Sequence, residues 1–276
     1  MKSRDRSSFN RFSFNHATAK FWDQREAVEA CARAGAGIGL WREPLQEAGV
    51  DATAKLVKDA GVEVTSLCRA GFFTDPTPES IADNRRAIDE AATVGAPTLV
   101  LVSGGIPAGG TIDSAREGVA EALSLLAPYA LERGVTLAIE PLHPMFASDR
   151  CVVATLAEAL DLAAPFPAEA VGVVVDTYHI WWDPQVWQGI ARAGAEGRIA
   201  SFQFADWVTP LPAGVLTGRG QLGDGCIDFR RYLAEVDATG FTGPIEVELF
   251  NDALWARPGP EVFAETKAAF ERVIAP

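Results

Sequence analysis

The sequence predicts a closed (β/α)8 barrel, or TIM barrel, formed by a single domain. Apolar runs of strand length alternate with amphipathic helical stretches along the 276 residues, eight of each, and no low-complexity linker divides the chain. Several strands are almost continuously apolar, such as VGVVV from Val171, which is typical of parallel strands covered on both faces. An open doubly wound sheet would more often have fewer strands for this length, so eight βα units favour closure.

We assign residues 1–10 to an N-terminal tail and residues 11–276 to the barrel. The strands are predicted at Phe12 to Asn15, Ile38 to Trp41, Val62 to Leu67, Thr98 to Ser103, Val135 to Glu140, Val171 to Asp176, Ile199 to Phe204 and Ile245 to Phe250. The helices that follow them are predicted at residues 24–34, 45–60, 79–95, 112–127, 153–164, 185–194, 228–238 and 260–273. Pro78 begins the third helix as a first-turn proline, and Asp228 precedes the seventh.

Composition excludes several classes of partner. The chain has 24 Lys and Arg against 37 Asp and Glu, a formal charge of −13, which repels nucleic acid and anionic lipid heads. No apolar run approaches the roughly 18–20 residues of a membrane helix, and no hydrophobic signal segment follows the start MKSRDRSSFN. The four cysteines form no CxxC pair, which is typical of reduced thiols. We expect a cytoplasmic protein with neither a nucleic-acid nor a membrane partner.

In a (β/α)8 barrel, the loops after the C-terminal ends of the strands build the functional site. Polar and aromatic side chains stand at the end of every predicted strand and would converge on one rim. They are Asn15, His16, Trp41, Arg42, Glu43, Arg69, Ser103, Glu140, His143, Asp176, His179, Trp181, Trp182, Gln203, Asp206, Trp207, Glu246 and Glu248.

Four of these residues, on consecutive strands, offer only oxygen donors. Any one of them could simply cap a loop or pair with an arginine, but grouped carboxylates repel one another unless a cation or protons compensate. An all-oxygen set suits Mn²⁺ or Mg²⁺ better than zinc. Glu246 and Glu248 share one face of the last strand, and we prefer Glu248 as ligand because it lies nearer the rim. The predicted ligands are Glu140, Asp176, Gln203 and Glu248.

Five segments carry a resemblance to a known family: AIEPLHP, VVDTYH, SFQFADW, GDGCIDF and GPIEVELF. Over essentially its whole length the chain resembles the sugar phosphate isomerase/epimerase superfamily, the xylose isomerase-like TIM barrels. This resemblance implies the same four metal ligands, and it implies that His179 contacts substrate. Gln203 stands where ketose 3-epimerases usually have histidine but hydroxypyruvate isomerase-like members have glutamine. Thr209 stands where those epimerases have a substrate-binding arginine, so substrate binding must differ.

The family chemistry implied is proton transfer next to a ketone, through an enediolate that the metal stabilises. Glu140 and Glu248 would face opposite sides of the reacting carbon as an acid/base pair, giving epimerisation or isomerisation of a keto-sugar or related polyol. The alternative is a lyase, a keto-inositol dehydratase or a C-glycoside-cleaving 3-keto-sugar lyase, with His143 as acid or base. His143 could also merely bind a loop carbonyl. A DNA-repair nuclease of this fold would need more histidines than three, and a metal-free binding barrel is the remaining hypothesis.

The remaining candidates are substrate contacts. Trp41 and Trp181 could pack on sugar C–H surfaces, although core packing also explains tryptophan at such positions. Arg42 and Arg69 could bind phosphate or carboxylate, with ion pairing to local acids as the alternative. Gly218, Gly220 and Gly223 match GxGxxG, but they follow no strand, so we interpret their segment as a mobile site loop. The further predicted contacts are His16, Asp206 and Arg219. A homodimer is compatible with the resemblance.

Overall fold

The computed structural model describes residues 11–275, which form a closed barrel of eight parallel strands. The barrel strands are β1 (Phe12–Asn15), β2 (Gly37–Trp41), β3 (Val64–Gly71), β4 (Thr98–Val102), β5 (Thr136–Ile139), β6 (Val171–Asp176), β7 (Ile199–Phe204) and β10 (Ile245–Val247). The last strand pairs with the first and closes the sheet, so the predicted barrel is confirmed. The predicted tail, residues 1–10, lies outside the described residues.

Helices follow the strands and cover the outside of the barrel. They are α1 (Gln24–Ala34), α2 (Arg42–Ala48), α3 (Val50–Ala60), α4 (Pro78–Val94), α5 (Ile112–Arg133), α6 (Leu156–Ala163), α7 (Thr177–Ile180), α8 (Val186–Ala195), α9 (Phe229–Ala238), α10 (Asp252–Trp255) and α11 (Gly259–Ile274). The short helices α2 and α7 begin directly after β2 and β6, and α10 begins a few residues after β10. Residues of α2 and α10 help to shape the mouth. No helix among residues 11–275 has the length and hydropathy needed to span a membrane.

The structure differs from the predicted elements in several places. Strand β3 runs from Val64 to Gly71 and not from Val62 to Leu67, so Arg69 lies within the strand and not after it. The helix predicted at 45–60 is two helices, because Gly49 between them has a φ of 89°, which breaks the helical path. Helix α5 continues through Pro128 to Arg133, beyond its predicted end. Strand β10 has three residues, so Glu248 lies just beyond its last ladder residue and not within the strand.

Most of the apolar core lies between the strands and the helices. Inside the barrel, a small apolar cluster of Cys68, Val100, Ala138 and Val174 lies beside a polar region around Glu246. Gly39 on β2 makes room for that carboxylate, since a Cβ at this position would lie 2.6 Å from Glu246 Cδ. None of the four cysteines is in a disulfide, and three of them are buried.

An antiparallel hairpin inserted after β7 carries part of the site. It consists of β8 (Asp206–Trp207) and β9 (Arg219–Gly220), which are joined by a loop containing a short 3-10 turn, Val215–Thr217. The Arg219 N–H donates to the Phe250 carbonyl at 3.3 Å, and the Asn251 amide donates to the Arg219 carbonyl at 2.9 Å. These bonds tie the hairpin to the segment that follows β10.

Candidate active site

Three carboxylates meet, fully buried, at the C-terminal ends of their strands. Glu140 follows β5, Asp176 ends β6 and Glu248 follows β10, and each has at most 4% of its surface exposed. Gln203 on β7 pairs in register with Asp176 on one side and with Glu246 on the other. The barrel ladder therefore brings together side chains that are far apart in the sequence.

Two buried oxygen atoms in this cluster have no hydrogen-bond donor among the described residues: Asp176 Oδ2 and Gln203 Oε1. Ligand atoms of Glu140, Asp176 and His179 also lie within 4.8 Å of one another. Buried acceptors without donors are costly, and a divalent cation would satisfy them. The residues present thus fit a metal ion, with His179 as an additional candidate ligand.

Burial perturbs the protonation of this cluster. Desolvation, reinforced by the charges of Glu248 and Asp176, raises the pKa of Glu140 well above its usual range. Desolvation also raises the pKa of Asp176 to about 7, against the opposing effect of Arg219. The pKa of His179 is well below its usual value, first because of burial and then because of the Arg219 charge. The neutral imidazole is therefore the favoured form.

Arg219 is the cation nearest to the three carboxylates. Its Nη1 donates to Glu248 Oε2 at 2.6 Å and lies 3.6 Å from Asp176 Oδ2. Its Nη2 lies 3.2 Å from His179 Nε2, and the guanidinium packs over the Tyr178 and Phe250 rings. Because the β8–β9 hairpin loops out and returns, it brings an arginine to the site although Thr209 occupies the position expected from the family pattern.

Glu246 lies deeper than Glu248 and is held by neutral donors. Thr65 and Ser66 donate to its carboxylate at 2.7 and 2.8 Å. Asn15 Nδ2 donates to both Glu246 Oε1, at 2.7 Å, and Glu248 Oε1, at 3.1 Å. Asn15 Oδ1 in turn accepts from the Trp41 indole, which sets the direction of the amide. Asn15 therefore positions Glu248, a role that its place at the end of a strand did not reveal.

His143 lies against an aromatic wall beside the carboxylates. Its ring stacks on Trp207 at 4.8 Å and meets the edge of Trp182 at 5.6 Å, and its backbone N–H donates to His179 Nδ1 at 3.2 Å. Burial lowers the pKa of His143, so its imidazole is mostly neutral near pH 7. Trp181 packs on Trp207, and its buried Nε1 has no acceptor among the described residues.

A cavity of about 600 Å³ opens at the mouth of the barrel. Its walls include three predicted contacts, His16, Trp41 and Arg69, together with Arg150, which the sequence analysis did not single out. His16 Nε2 donates to the Trp22 carbonyl at 2.8 Å, so this imidazole is already engaged. Arg150 could have been found only from its place in the loop between β5 and α6.

Arg42 is not brought to the site. Its Nε donates to Glu90 at 2.6 Å and its Nη1 to Asp83 at 3.0 Å, so it joins α2 to α4 on the outside of the barrel. The alternative interpretation of this arginine, as an ion-pair partner of local acids, describes its geometry.

Asp206, another predicted contact, is engaged by the backbone of its own loop. It is fully buried, and each of its carboxylate oxygens accepts two backbone N–H groups, those of Trp207 and Ile227 on Oδ1 and those of Gly223 and Gly225 on Oδ2. With its four acceptor sites occupied by backbone, this carboxylate anchors the segment that carries the glycine motif.

Comparison with known proteins identifies the class. A family model described as the xylose isomerase-like TIM barrel matches residues 26–272. The chain belongs to this family, as the sequence resemblance implied.

Curated relatives of the chain are named as enzymes. It is 26% identical to an inosose isomerase of Bacillus velezensis over 58% of this chain and 56% of that protein, so it spans about half of that relative's length. It is 30% identical to a 3-dehydroshikimate dehydratase of Pseudomonas aeruginosa over 84% of this chain and 37% of that protein. It is 25% identical to an L-ribulose 3-epimerase of a Methylomonas species over 83% of this chain and 79% of that protein.

Solved structures agree on the fold. A protein from Sinorhizobium meliloti 1021 superposes with a TM-score of 0.92 at 42% identity, covering 96% of this chain and 98% of the other. The IOLI protein, crystallised with a zinc atom, superposes with a TM-score of 0.83 at 20% identity, covering 96% and 98%. The chain is thus a member of an enzyme family that includes sugar isomerases and epimerases, and it carries a candidate divalent-metal site.

Proposed function

We propose that the protein is a divalent-metal-dependent isomerase or epimerase of a keto-sugar or related polyol, with Glu140 and Glu248 as its acid/base pair. One observation carries the proposal: of three buried carboxylates, two pair with a single guanidinium, and two buried oxygens in the cluster have no donor among the described residues. A purely structural cluster would be expected to satisfy those oxygens. A cluster that receives a cation leaves them available.

The proposed ligands are Glu140, Asp176, Gln203 and Glu248, with Mn²⁺ or Mg²⁺ favoured by their oxygen donors. His179 could contribute a nitrogen, and the zinc in the IOLI protein keeps that metal among the ions to be tried. A bound divalent ion would polarise a substrate carbonyl and acidify the neighbouring C–H.

The two glutamates have different surroundings. Glu140 is desolvated, and burial raises its pKa, so this carboxyl holds a proton readily until a cation displaces it. Glu248 instead accepts hydrogen bonds from the Arg219 guanidinium and the Asn15 amide. Their strands, β5 and β10, are three places apart around the barrel, so the two carboxylates come from different sides of the barrel mouth. This arrangement supports removal of a proton on one face and its return on another.

A lyase is the second candidate, and the position of His143 favours it. This imidazole lies next to His179, in an aromatic environment that keeps it neutral and able to accept a proton. The relative named as a 3-dehydroshikimate dehydratase supports a dehydration on this scaffold. In either case the partner is a small sugar-like molecule, whereas the charge of −13 argues against nucleic acid.

The test is proton exchange in D₂O, read by NMR, with manganese-loaded protein and a panel of ketoses, inososes and 3-keto glycosides. Glu140→Gln and Glu248→Gln should each reduce exchange and turnover by at least about 100-fold, the usual contribution of a general acid or base. Glu121→Gln, on the exposed face of α5, is the matched control and should leave both rates unchanged. Near-wild-type exchange in either site variant would remove that residue from the pair.

His143→Ala separates the two candidates. An isomerase or epimerase should retain exchange at the substrate carbon in this variant. A lyase that depends on the imidazole should lose formation of the dehydrated or cleaved product.

A further inference from the structure

The mouth cavity contains two arginines whose charges are poorly compensated. Arg69, at the end of β3, and Arg150, in the loop between β5 and α6, both line this cavity and are half-buried. The Nε atom of each is buried without a hydrogen-bond partner among residues 11–275. Buried guanidinium donors without an acceptor are costly, and an anionic ligand would satisfy them.

Close ion pairs do not account for these charges. The Arg69 ion pair is a single contact of 3.9 Å to Glu43, whose side chain is 61% exposed. No ion pair joins Arg150 to any acid of the described chain within 4.0 Å. The other acid of this cavity, Glu47, is exposed on α2. Burial and the charge of Arg69 lower the pKa of Arg150, as expected where two cations face one space.

The same cavity adjoins the carboxylate cluster. Its wall includes Phe250, and the Arg219 guanidinium lies 4.8 Å from the centroid of that ring. The same guanidinium donates to Glu248 in the carboxylate cluster. Trp41, which donates to Asn15, forms another part of the wall. A ring-sized ligand could therefore present one end to the carboxylates and the other to Arg69 and Arg150.

We propose that Arg69 and Arg150 form an oxyanion subsite, and that the substrate is a keto-sugar or keto-polyol bearing a carboxylate or a phosphate. Arginine suits either group, because its planar fork donates two parallel hydrogen bonds to such oxygens. Trp41 and Phe250 supply flat apolar surface for the carbon skeleton between the two ends. This inference rests on the proposed function and specifies its substrate class.

The experiment measures dissociation constants by calorimetry on the manganese-loaded full chain. Three ring probes are compared: quinate for the carboxylate, myo-inositol 1-phosphate for the phosphate and myo-inositol as the neutral ring. We expect one anionic ring to bind at least about tenfold more tightly than the neutral ring, as two charge-assisted hydrogen bonds would give. The preferred anion distinguishes the two sources of the oxyanion.

Variants identify the subsite. Arg69→Gln and Arg150→Gln should each weaken binding of the preferred anion by about tenfold or more and leave myo-inositol binding within twofold. Arg33→Gln is the matched control, because Arg33 is 71% exposed on α1, and it should change nothing. Arg69→Lys and Arg150→Lys, which keep the charge and lose the fork, replace any glutamine variant that fails to fold, and they should weaken the anion by a smaller factor.

Equal binding of the neutral and anionic rings, no binding of either anion, or unchanged anion affinity in the variants would overturn the subsite. Its failure is separable from that of the proposed function. Proton exchange on neutral ketoses without an anion preference would leave the isomerase and reject the subsite. Anion binding that depends on the arginines, without proton exchange on any ketose, neutral, carboxylated or phosphorylated, would keep the subsite and reject the isomerase or epimerase.

Discussion

Replacing Asp206 tests whether this carboxylate anchors a loop or touches substrate. In Asp206→Ala, four backbone N–H groups lose their acceptor: those of Trp207, Gly223, Gly225 and Ile227, at 2.8 to 3.1 Å. Hydrogen bonds to a charged group contribute about 1.5–3 kcal/mol each, and four of them would give about 6–12 kcal/mol if they were independent. They share one side chain, and water can reach a loosened loop, so we expect a loss of about 3–5 kcal/mol.

The assay is thermal unfolding followed by circular dichroism, together with steady-state kinetics. For a chain of this length, each kcal/mol shifts Tm by about 2–4 °C, so Asp206→Ala should lower Tm by roughly 6–20 °C. Asp206→Asn should be nearly as destabilised. Its amide NH₂ replaces one carboxylate oxygen and would face two backbone N–H donors that this oxygen accepts in the wild-type protein. Asp224→Ala is the matched control, since Asp224 is exposed in the same loop, and its Tm should not change.

The loop assignment would be refuted by a variant that keeps its Tm within about 2 °C and loses only substrate affinity. That outcome would restore Asp206 as a substrate contact. A large loss of Tm with reduced turnover supports the anchor, because the same segment carries Arg219 into the carboxylate cluster.

Three further predictions concern the metal, the barrel interior and the outer ion pair. Binding of Mn²⁺ should release protons near pH 6–7 and tighten as pH rises, because the raised pKa values of Glu140 and Asp176 keep these carboxyls partly protonated until the cation displaces the protons. Calorimetry in buffers of different ionisation enthalpy measures the proton release, and equal binding heats in all buffers would contradict it. Gly39→Ala should lower the free energy of unfolding in urea by about 1–3 kcal/mol, since the new Cβ would lie 2.6 Å from Glu246 Cδ. An unchanged urea midpoint would show that neighbouring side chains in the barrel interior move aside without cost. Arg42→Met should lower the free energy of unfolding by about 3 kcal/mol and leave KM unchanged, because the substitution leaves Glu90 buried without its cation. A raised KM with normal stability would instead indicate that Arg42 contacts substrate.

Part of the molecule follows from sequence pattern alone. Strand and helix periodicities are local, so the eight βα units and their order could be predicted from runs such as VGVVV on β6. In a closed barrel the strand ends share one rim, and this predicts that Glu140, Asp176, Gln203 and Glu248 come together. The predicted choice of Glu248 over Glu246 also follows from alternation and depth along one strand.

Only the tertiary structure decided which side chains are already engaged. Asp206 and Arg42 follow strand ends, as the carboxylates of the cluster do. Backbone N–H groups already donate to Asp206, however, and Arg42 is paired with acids of α4. Arg219 reaches the cluster because the β8–β9 hairpin folds back toward the barrel mouth. The loop of this hairpin has no hydrophobic periodicity from which its path could be predicted. Hydrogen-bond partners, buried oxygens without donors and shifted pKa values depend on the distances between residues that are remote in the chain. The sequence by itself therefore determined the barrel and the cluster of acidic side chains at its strand ends. The packing of the loops determined which side chains of that cluster keep unpaired atoms that a ligand could bind.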